Sequence, residues 1–214
     1  TTGTRNCAYG TQALEANTTT NDHTAVGYRA LQSNTTGQNN TAVGSYVLDA
    51  NTTGDNNTAI GQNSLTGNTT GGYNTACGMA ALQTISTAGN NTAVGYVALQ
   101  TSNAADNTAV GYKALQDTST GANNTAVGSN ALRENTTASA NTAVGMDALY
   151  TNTTGSSNTA MGKDALRLSN GSNNTALGQS ALNANTTASN NTAVGRNTLV
   201  ANTTGAQNVA VGGG

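Results

Sequence analysis

Few residues of this chain have side chains suited to catalysis, and their spacing does not assemble them into a reactive group. His23 is the only histidine among 214 residues, and the pattern around it does not supply the serine and carboxylate partners of a catalytic triad. The nine acidic residues are dispersed along the chain, so no carboxylate pair of the kind that cleaves glycosidic bonds can be named. The sequence therefore predicts a protein that is not an enzyme, with no catalytic, cofactor-binding or metal-ligating residues and no cofactor.

Charge and composition exclude several classes of protein. Seven Lys and Arg stand against nine Asp and Glu, which gives a formal net charge of −2. A binding surface for nucleic acid needs a basic excess to neutralise phosphates, so no nucleic-acid partner is expected. No window of about 20 apolar residues occurs, so no membrane insertion is expected. The chain has no Phe, Trp or Pro, and a core built on large aromatic anchors is excluded.

The dominant feature of the sequence is a short repeat. The pattern Asn-Thr-Ala-Val-Gly, with substitutions, occurs thirteen times at steps of 17 residues, and two of the steps are 16. Both shortenings fall in the polar stretch between motifs, at residues 102–105 and 169–172. Because no change of composition interrupts the array, we expect residues 1–214 to form one continuous domain, and we expect it to be a segment of a longer fibre.

The slots of the repeat differ in polarity. Counted from the motif glycine as slot 0, slot −1 is Val in eight copies and always apolar or aromatic, slot −2 is Ala in all thirteen, and slot +4 is Leu in all twelve complete copies. No charged residue occupies these slots, which is typical of buried positions. We predict that slots −1 and +4 form an apolar core stripe. Its members include Val26, Val43, Ile60, Cys77, Val94, Val110, Leu31, Leu48, Leu65 and Leu82.

The period predicts an all-β fold. Seventeen residues are too few for two packed helices with their turns, but they suffice for two or three short strands. We therefore predict a β-solenoid (β-roll) of about 13 coils, stacked about 4.8 Å apart. Glycine at the motif end suits a positive φ or a close backbone approach. Equivalent asparagines can stack as amide ladders, and His23 occupies an asparagine slot, which favours a tolerated ladder substitution over a catalytic base.

A second face of the coil suggests association between chains. Side chains alternate along a strand, so an inward Val at slot −1 would leave Ala at slot −2 pointing outward. Such an alanine either lies under a neighbouring strand of its own coil or packs against another chain. We favour the second interpretation because one or two large apolar residues per coil make a thin core. The predicted inter-chain face includes Ala25, Ala42, Ala59, Ala76, Ala93 and Ala109.

The two cysteines are not expected to pair with each other. Cys7 and Cys77 are separated by four coils, or about 19 Å at the spacing of β-strands, which is beyond the reach of a disulfide. Cys77 stands in slot −1 and is predicted to be a small buried apolar residue. For Cys7, pairing between chains at one end remains open.

The longer pattern carries a resemblance. The segment from Asn39 to Gly44 is similar to the Asn-Ser-Val-Ala-Ile-Gly head repeat of trimeric autotransporter adhesins, and the segment from Asn107 to Leu115 resembles repeats of phage tail fibres. The resemblance covers the whole chain, although the period of 17 is longer than that of the adhesin head. It implies β-roll coils in a parallel homotrimer that serves as an extracellular shaft or adhesive head on a cell or virion.

The function predicted from these observations is a structural or adhesive fibre segment without catalysis. Its expected partners are other copies of the chain and a surface glycan or cell-surface receptor. Tyr28, Tyr96 and Tyr112 share slot +1, where rings could stack on sugars, but three of twelve copies favour scattered surface aromatics. Two alternatives remain open: an ice-binding β-solenoid that presents ranks of Thr and Asn, and a single-chain subunit that stacks end to end into a filament.

Overall fold

The computed structural model describes residues 2–213, and its regular secondary structure is parallel β-sheet. The chain divides into two compact units, which meet in the sequence between Asp106 and Asn107. Each unit is a parallel β-solenoid with a 17-residue repeat, and residues 2–213 contain no helix. Consequently, no helix in this range could span a membrane. That the two units form one uninterrupted array stays a prediction.

Each repeat contributes one strand of three residues. The strands of the first unit are β1 (Cys7–Tyr9), β2 (Thr24–Val26), β3 (Thr41–Val43), β4 (Thr58–Ile60), β5 (Thr75–Cys77) and β6 (Thr92–Val94). Those of the second unit are β7 (Thr108–Val110), β8 (Thr125–Val127), β9 (Thr142–Val144), β10 (Thr159–Met161), β11 (Thr175–Leu177), β12 (Thr192–Val194) and β13 (Val209–Val211). Within each unit every strand pairs in parallel with the next one along the chain.

The register of these pairs places equivalent slots directly above one another. Val43 pairs with Ile60 and Ile60 pairs with Cys77, so the side chains of slot −1 form a vertical file. The predicted stacking of successive repeats is therefore confirmed. Strand β4 lies between β3 and β5, with the same three slots aligned at each step.

The remainder of the coil is built from turns, whereas two or three strands were expected. Slots −5, +2 and +4 have positive φ in residues other than glycine; φ is 58° at Arg29 and 52° at Leu31. These left-handed residues bend the chain without interrupting the hydrogen bonds between coils. The Leu31 N–H, for example, donates to the Val47 carbonyl at 3.0 Å. A backbone bonded in this way along most of its length accounts for the absence of proline, which has no N–H to donate.

The motif glycine meets both predicted requirements. Its φ lies between +118° and +140° in every copy, a region that side-chain-bearing residues rarely adopt. A Cβ atom on Gly128 would lie 2.6 Å from the carbonyl oxygen of Gly145 in the next coil. Glycine is therefore required at this slot by backbone conformation and also by the spacing of the coils.

The interior of each coil is filled by leucine and alanine. The predicted core leucines Leu31, Leu48, Leu65 and Leu82 are fully buried, so that part of the core stripe is confirmed. The alanines predicted as an inter-chain face, Ala25, Ala42, Ala59, Ala76, Ala93 and Ala109, are also fully buried within the single chain. That prediction is wrong. The interior of the coil is already occupied by the buried leucines and asparagines, so a small side chain suits the inward side of the strand.

The residues of slot −1 point outward, so their assignment to the core is wrong. Val26, Val43 and Val110 are partly exposed, and Ile60, Cys77 and Val94 are exposed. The predicted alternation of side chains along the strand is confirmed, but the prediction that valine rather than alanine faces inward is wrong. Because alanine at slot −2 faces inward, valine at slot −1 must face outward.

Two files of buried asparagine run through the coils, as predicted. In the first, at slot −10, Asn51 Nδ2 donates to Asn34 Oδ1 at 2.8 Å, and Asn68 Nδ2 donates to Asn51 Oδ1 at the same distance. In the second, at slot −4, the Asn57 backbone N–H donates to Asn40 Oδ1 at 2.9 Å. All five amides are fully buried. These bonds satisfy most of the buried amide groups, which would otherwise be costly to bury, although Asn68 Oδ1 has no partner among residues 2–213.

His23 occupies slot −4 of the second ladder. Its ring is buried, its Nδ1 accepts the Asn40 backbone N–H at 3.3 Å, and its Nε2 lies 3.0 Å from the Thr20 hydroxyl. Because Nδ1 faces a backbone N–H, we assign the proton to Nε2, which then donates to the Thr20 hydroxyl. Burial lowers the pKa of His23 below its ordinary value. The ring is thus a neutral member of the ladder, as predicted from the sequence.

Candidate interaction surface

The outward side of the strands is the most distinctive surface of each unit. It consists of the side chains of slots −3 and −1 and is called the Thr/Val face. Slot −3 is Thr in eleven of thirteen copies, and slot −1 is Val in eight. The two side chains of one strand are about 6.6 Å apart, and successive strands are about 4.8 Å apart. Each unit therefore presents a regular grid of hydroxyl and methyl groups.

The Thr/Val face carries no charge. None of the thirteen copies has an acidic or basic residue at slot −3 or slot −1. Its apolar file is accessible to solvent: 43% of Ile60, 37% of Val127 and 47% of Met161 remains exposed. An exposed apolar file of this kind is a candidate contact surface.

Both cysteines lie on this face. Cys7 takes slot −3 in β1 and Cys77 takes slot −1 in β5, and both are free and exposed. The prediction that Cys77 is buried is wrong, because its slot faces outward. The open question of whether Cys7 pairs between chains now extends to Cys77, since both thiols are exposed.

Exposed aromatic and sulfur-containing side chains follow the face along the chain. Slot +1 holds Tyr28, Met79 and Tyr112, which are 42%, 43% and 49% exposed. Tyr28 packs edge-on against Tyr46 with ring centroids 5.2 Å apart, and the Lys113 ammonium lies 5.2 Å from the Tyr112 ring centroid. The rings are therefore individual surface contacts that differ from coil to coil and do not form a repeated sugar platform.

Groups that could bind a metal or move a proton were sought on the same units. Within residues 2–213, no group of three or more His, Cys, Asp or Glu side chains is placed to hold a metal ion. His23 is enclosed in the ladder, and its Nδ1 and Nε2 are both engaged in hydrogen bonds. No known family model matches the chain, and comparison with curated proteins finds no significant match.

One signal in the sequence could have identified the correct face. Slot −2 is invariant, as expected for a position enclosed on all sides. Slot −1 also accepts Tyr9 and Met161, whose side chains differ greatly in volume from valine. A tolerance of that kind indicates a surface position, and it separates the two sides of the strand more reliably than hydrophobicity does.

Proposed function

We propose that this protein is a structural or adhesive segment of an extracellular fibre, on a cell surface or virion, whose chains associate side by side through the Thr/Val face. The observation that supports the proposal is an uncharged, solvent-accessible file of apolar side chains that recurs at every coil. A second copy has the same periodicity and can match it rung for rung. Covering the face would remove apolar surface from water at about 25 cal/mol per Å².

The resemblance to trimeric adhesins and tail fibres supports a parallel homotrimer as the assembled form. The contact surface differs from the one that the sequence suggested, because the alanine side is already enclosed within the chain. Parallel association keeps equivalent coils at equal height, so that every methyl group of one file faces the same file of its neighbour. Receptor or glycan binding would then fall to surfaces outside the interface.

Analytical ultracentrifugation of the full chain tests the association. We expect an oligomer at micromolar concentration, and we expect Val127→Lys to weaken it by placing a charge on the face. Val127 is 37% exposed, so the fold should tolerate the change. Thr120→Lys adds the same charge at an exposed position outside the face and should leave the oligomer intact. A monomeric wild-type chain, or equal effects of the two variants, would refute the proposal.

The native cysteines test the arrangement of the chains. In a parallel, in-register assembly, Cys77 of one copy lies at the height of Cys77 of the next. Mild oxidation should therefore produce a dimer on a non-reducing gel, with a Cys77–Cys77 peptide in the mass spectrum. Cys77→Val restores the commonest residue of the slot and should abolish that product. A cross-link between Cys7 and Cys77, in the absence of Cys7–Cys7 and Cys77–Cys77 cross-links, would indicate that the chains are not aligned in parallel register.

The same grid makes ice binding a second candidate function. A face with two ranks of threonine would require Thr-x-Thr on one strand, and none of the strands β1 to β13 has it. Thr and Val nevertheless project from the same side of each strand in two aligned files, and the methyl groups of valine supply the second rank. This observation favours the ice-binding alternative more than the sequence did.

Thermal hysteresis distinguishes the two functions. An ice-binding protein lowers the freezing point below the melting point and shapes ice crystals, and Val127→Lys should reduce this effect while Thr120→Lys should not. If hysteresis is absent and the oligomer is present, the fibre proposal stands alone. If the chain is a monomer and shows hysteresis, ice binding replaces the fibre as the proposed function.

A further inference from the structure

We propose that six asparagines at slot −5 are N-glycosylation acceptors on the folded chain, arranged along the edge of the coils as two adjacent pairs and two separate residues. Each is followed by an asparagine and then a threonine, which makes an Asn-x-Thr sequon. The six are Asn39, Asn56, Asn90, Asn123, Asn173 and Asn190. The inference goes beyond the proposed function and concerns the folded chain before association, when the Thr/Val face that carries the sequon threonines is uncovered.

The slot −5 asparagines are accessible at both groups that a transferase must bind. Asn56 is exposed, and its side-chain amide has no hydrogen-bond partner among residues 2–213. Thr58, the third residue of its sequon, is partly exposed on the Thr/Val face, and its hydroxyl is also without a partner there. Only the middle residue, Asn57, is enclosed. The backbone is held in place, because the Asn56 N–H donates to the Gln38 carbonyl at 3.0 Å.

A second set of sequons lies in the inner ladder at slot −10 and is closed to modification. Asn51 begins such a sequon but is fully buried. Its Nδ2 donates to the Gly54 carbonyl at 3.0 Å and to Asn34 Oδ1 at 2.8 Å. Both amide protons are therefore engaged, and a transferase could reach the nitrogen only after neighbouring coils had separated. Equivalent buried positions are Asn34, Asn68, Asn135, Asn152 and Asn185.

The reaction is a glycosyl transfer catalysed by a separate enzyme. The acceptor Nδ2 attacks the anomeric carbon of a sugar activated as a diphosphate. The N–C bond forms as the C–O bond to the diphosphate breaks, and the diphosphate leaves with the electron pair. One amide proton passes to a base of the transferase. The role of this chain is to present the amide nitrogen and the threonine hydroxyl in a fixed, open position.

The spacing of the coils affects how many of the sites can be filled together. Asn39 and Asn56 lie in adjacent coils about 4.8 Å apart, as do Asn173 and Asn190. A sugar ring is about as wide as that separation, so glycans on both members of a pair would crowd one another. Asn90 has Tyr73 and Asp106 as its neighbours in the same slot of its own unit. We therefore expect fuller occupancy at Asn90 than at either member of a pair.

In vitro transfer tests the inference. The folded full-length chain, diluted until ultracentrifugation shows a monomer, and its proteolytic peptides are each incubated with a soluble N-glycosyltransferase and UDP-glucose, and the products are mapped by mass spectrometry. On the folded chain, occupancy at Asn56 should exceed that at Asn51 by about tenfold or more, because Asn51 reacts only through local opening. On the peptides, where neither residue is buried, the two should react alike.

Matched variants complete the test. Thr58→Ala removes the Asn56 sequon and should abolish modification at Asn56 on the folded chain, whereas Thr53→Ala removes the Asn51 sequon and should leave the folded-chain pattern unchanged. Transfer to Asn51 at the level of Asn56 on the folded chain would overturn the inference. So would an absence of transfer to the slot −5 asparagines on the folded chain, whether or not the peptides react.

Discussion

At the scale of single residues, the fold depends on positions where one side chain is acceptable for a definable reason. The motif glycine combines a φ that other residues rarely adopt with a Cβ position already occupied by the next coil. His23 shows the opposite case. A ring of different shape is accommodated in an asparagine ladder because its Nδ1 accepts the same kind of backbone N–H that an asparagine Oδ1 accepts.

Gly128→Ala should destabilise the protein strongly. The added methyl group would lie 2.6 Å from the Gly145 carbonyl oxygen and would require a residue with a side chain at φ +138°. Such backbone strain costs about 1–3 kcal/mol, to which the steric conflict adds. The loss should appear as a lower urea midpoint. Ser129→Ala, one residue further on, is the control and should leave the midpoint nearly unchanged; equal effects would contradict the argument.

His23 should make stability depend on pH in the mildly acidic range. Burial lowers its pKa in the folded state, so the unfolded chain binds more protons as the pH falls below about 6.5. Stability should therefore decrease as the pH drops from that value towards the folded-state pKa. The decrease is about 1.4 kcal/mol for each unit of difference between the two pKa values.

Urea unfolding at pH 7.5, 6.5 and 5.5 measures this dependence. His23→Asn restores the residue that the other twelve copies carry at slot −4 and should remove the slope. Asp22, whose pKa is lowered by its hydrogen bond with Arg5, loses its contribution only at more acidic pH, below its ordinary pKa of about 3.9. An unchanged slope in His23→Asn would show that another group is responsible.

At the scale of elements, the coil is held by ladders rather than by long strands. Three-residue strands have little independent stability, and left-handed residues at slots −5, +2 and +4 are individually unfavourable. Backbone hydrogen bonds between coils continue through these turns, and leucine and asparagine fill the space they enclose. The weakest places are therefore expected where a ladder is interrupted.

Thr118 is one such interruption. It occupies slot −10, where most copies have asparagine, and its buried hydroxyl has no hydrogen-bond partner among residues 2–213. Thr118→Asn should add a bond to the Gly121 carbonyl, as Asn152 bonds to Gly155 at 2.8 Å, and stabilise the protein by about 1 kcal/mol. Thermal unfolding measures the change, and a lower melting temperature would contradict the prediction.

The reciprocal substitution, Asn51→Thr, should act in the opposite direction. It removes the donor to Gly54 and Asn34 and the acceptor for Asn68. Leaving buried polar groups without partners costs about 1–3 kcal/mol. Thr53→Ala, at an exposed position two residues away, serves as the control. If the two reciprocal changes shifted the melting temperature in the same direction, hydrogen bonding along the ladder would not be the cause.

At the scale of the whole molecule, stability is a sum over neighbouring coils, as in other repeat proteins. Each strand within a unit pairs only with the strands before and after it. The uncharged Thr/Val face has the same character, because every added coil extends it by one rung.

Removal of a complete repeat should therefore preserve the fold. Deleting residues 125–141 joins Asn124 to Thr142 and keeps every slot in register, whereas deleting residues 125–132 removes only half a coil. The first variant should retain the circular dichroism spectrum of the parent and unfold cooperatively with a slightly smaller dependence on urea. The half-coil deletion should lose both the parent spectrum and cooperative unfolding. Equal tolerance of the two deletions would contradict the stacking of equivalent slots.

The amino-acid sequence alone determined the period, the all-β solenoid, the buried leucine file and the asparagine ladders, because each is a regularity that recurs every 17 residues. It did not determine which side of the strand faces inward. Alternation along Thr41, Ala42 and Val43 predicts two opposite sides, but only the coil shows that leucine and asparagine leave space for alanine beneath the strand. Nor could it assign positive φ to Leu31, since leucine rarely adopts it. Those two features depend on the volume enclosed by a complete turn, and this volume exists only once the coil has closed on itself.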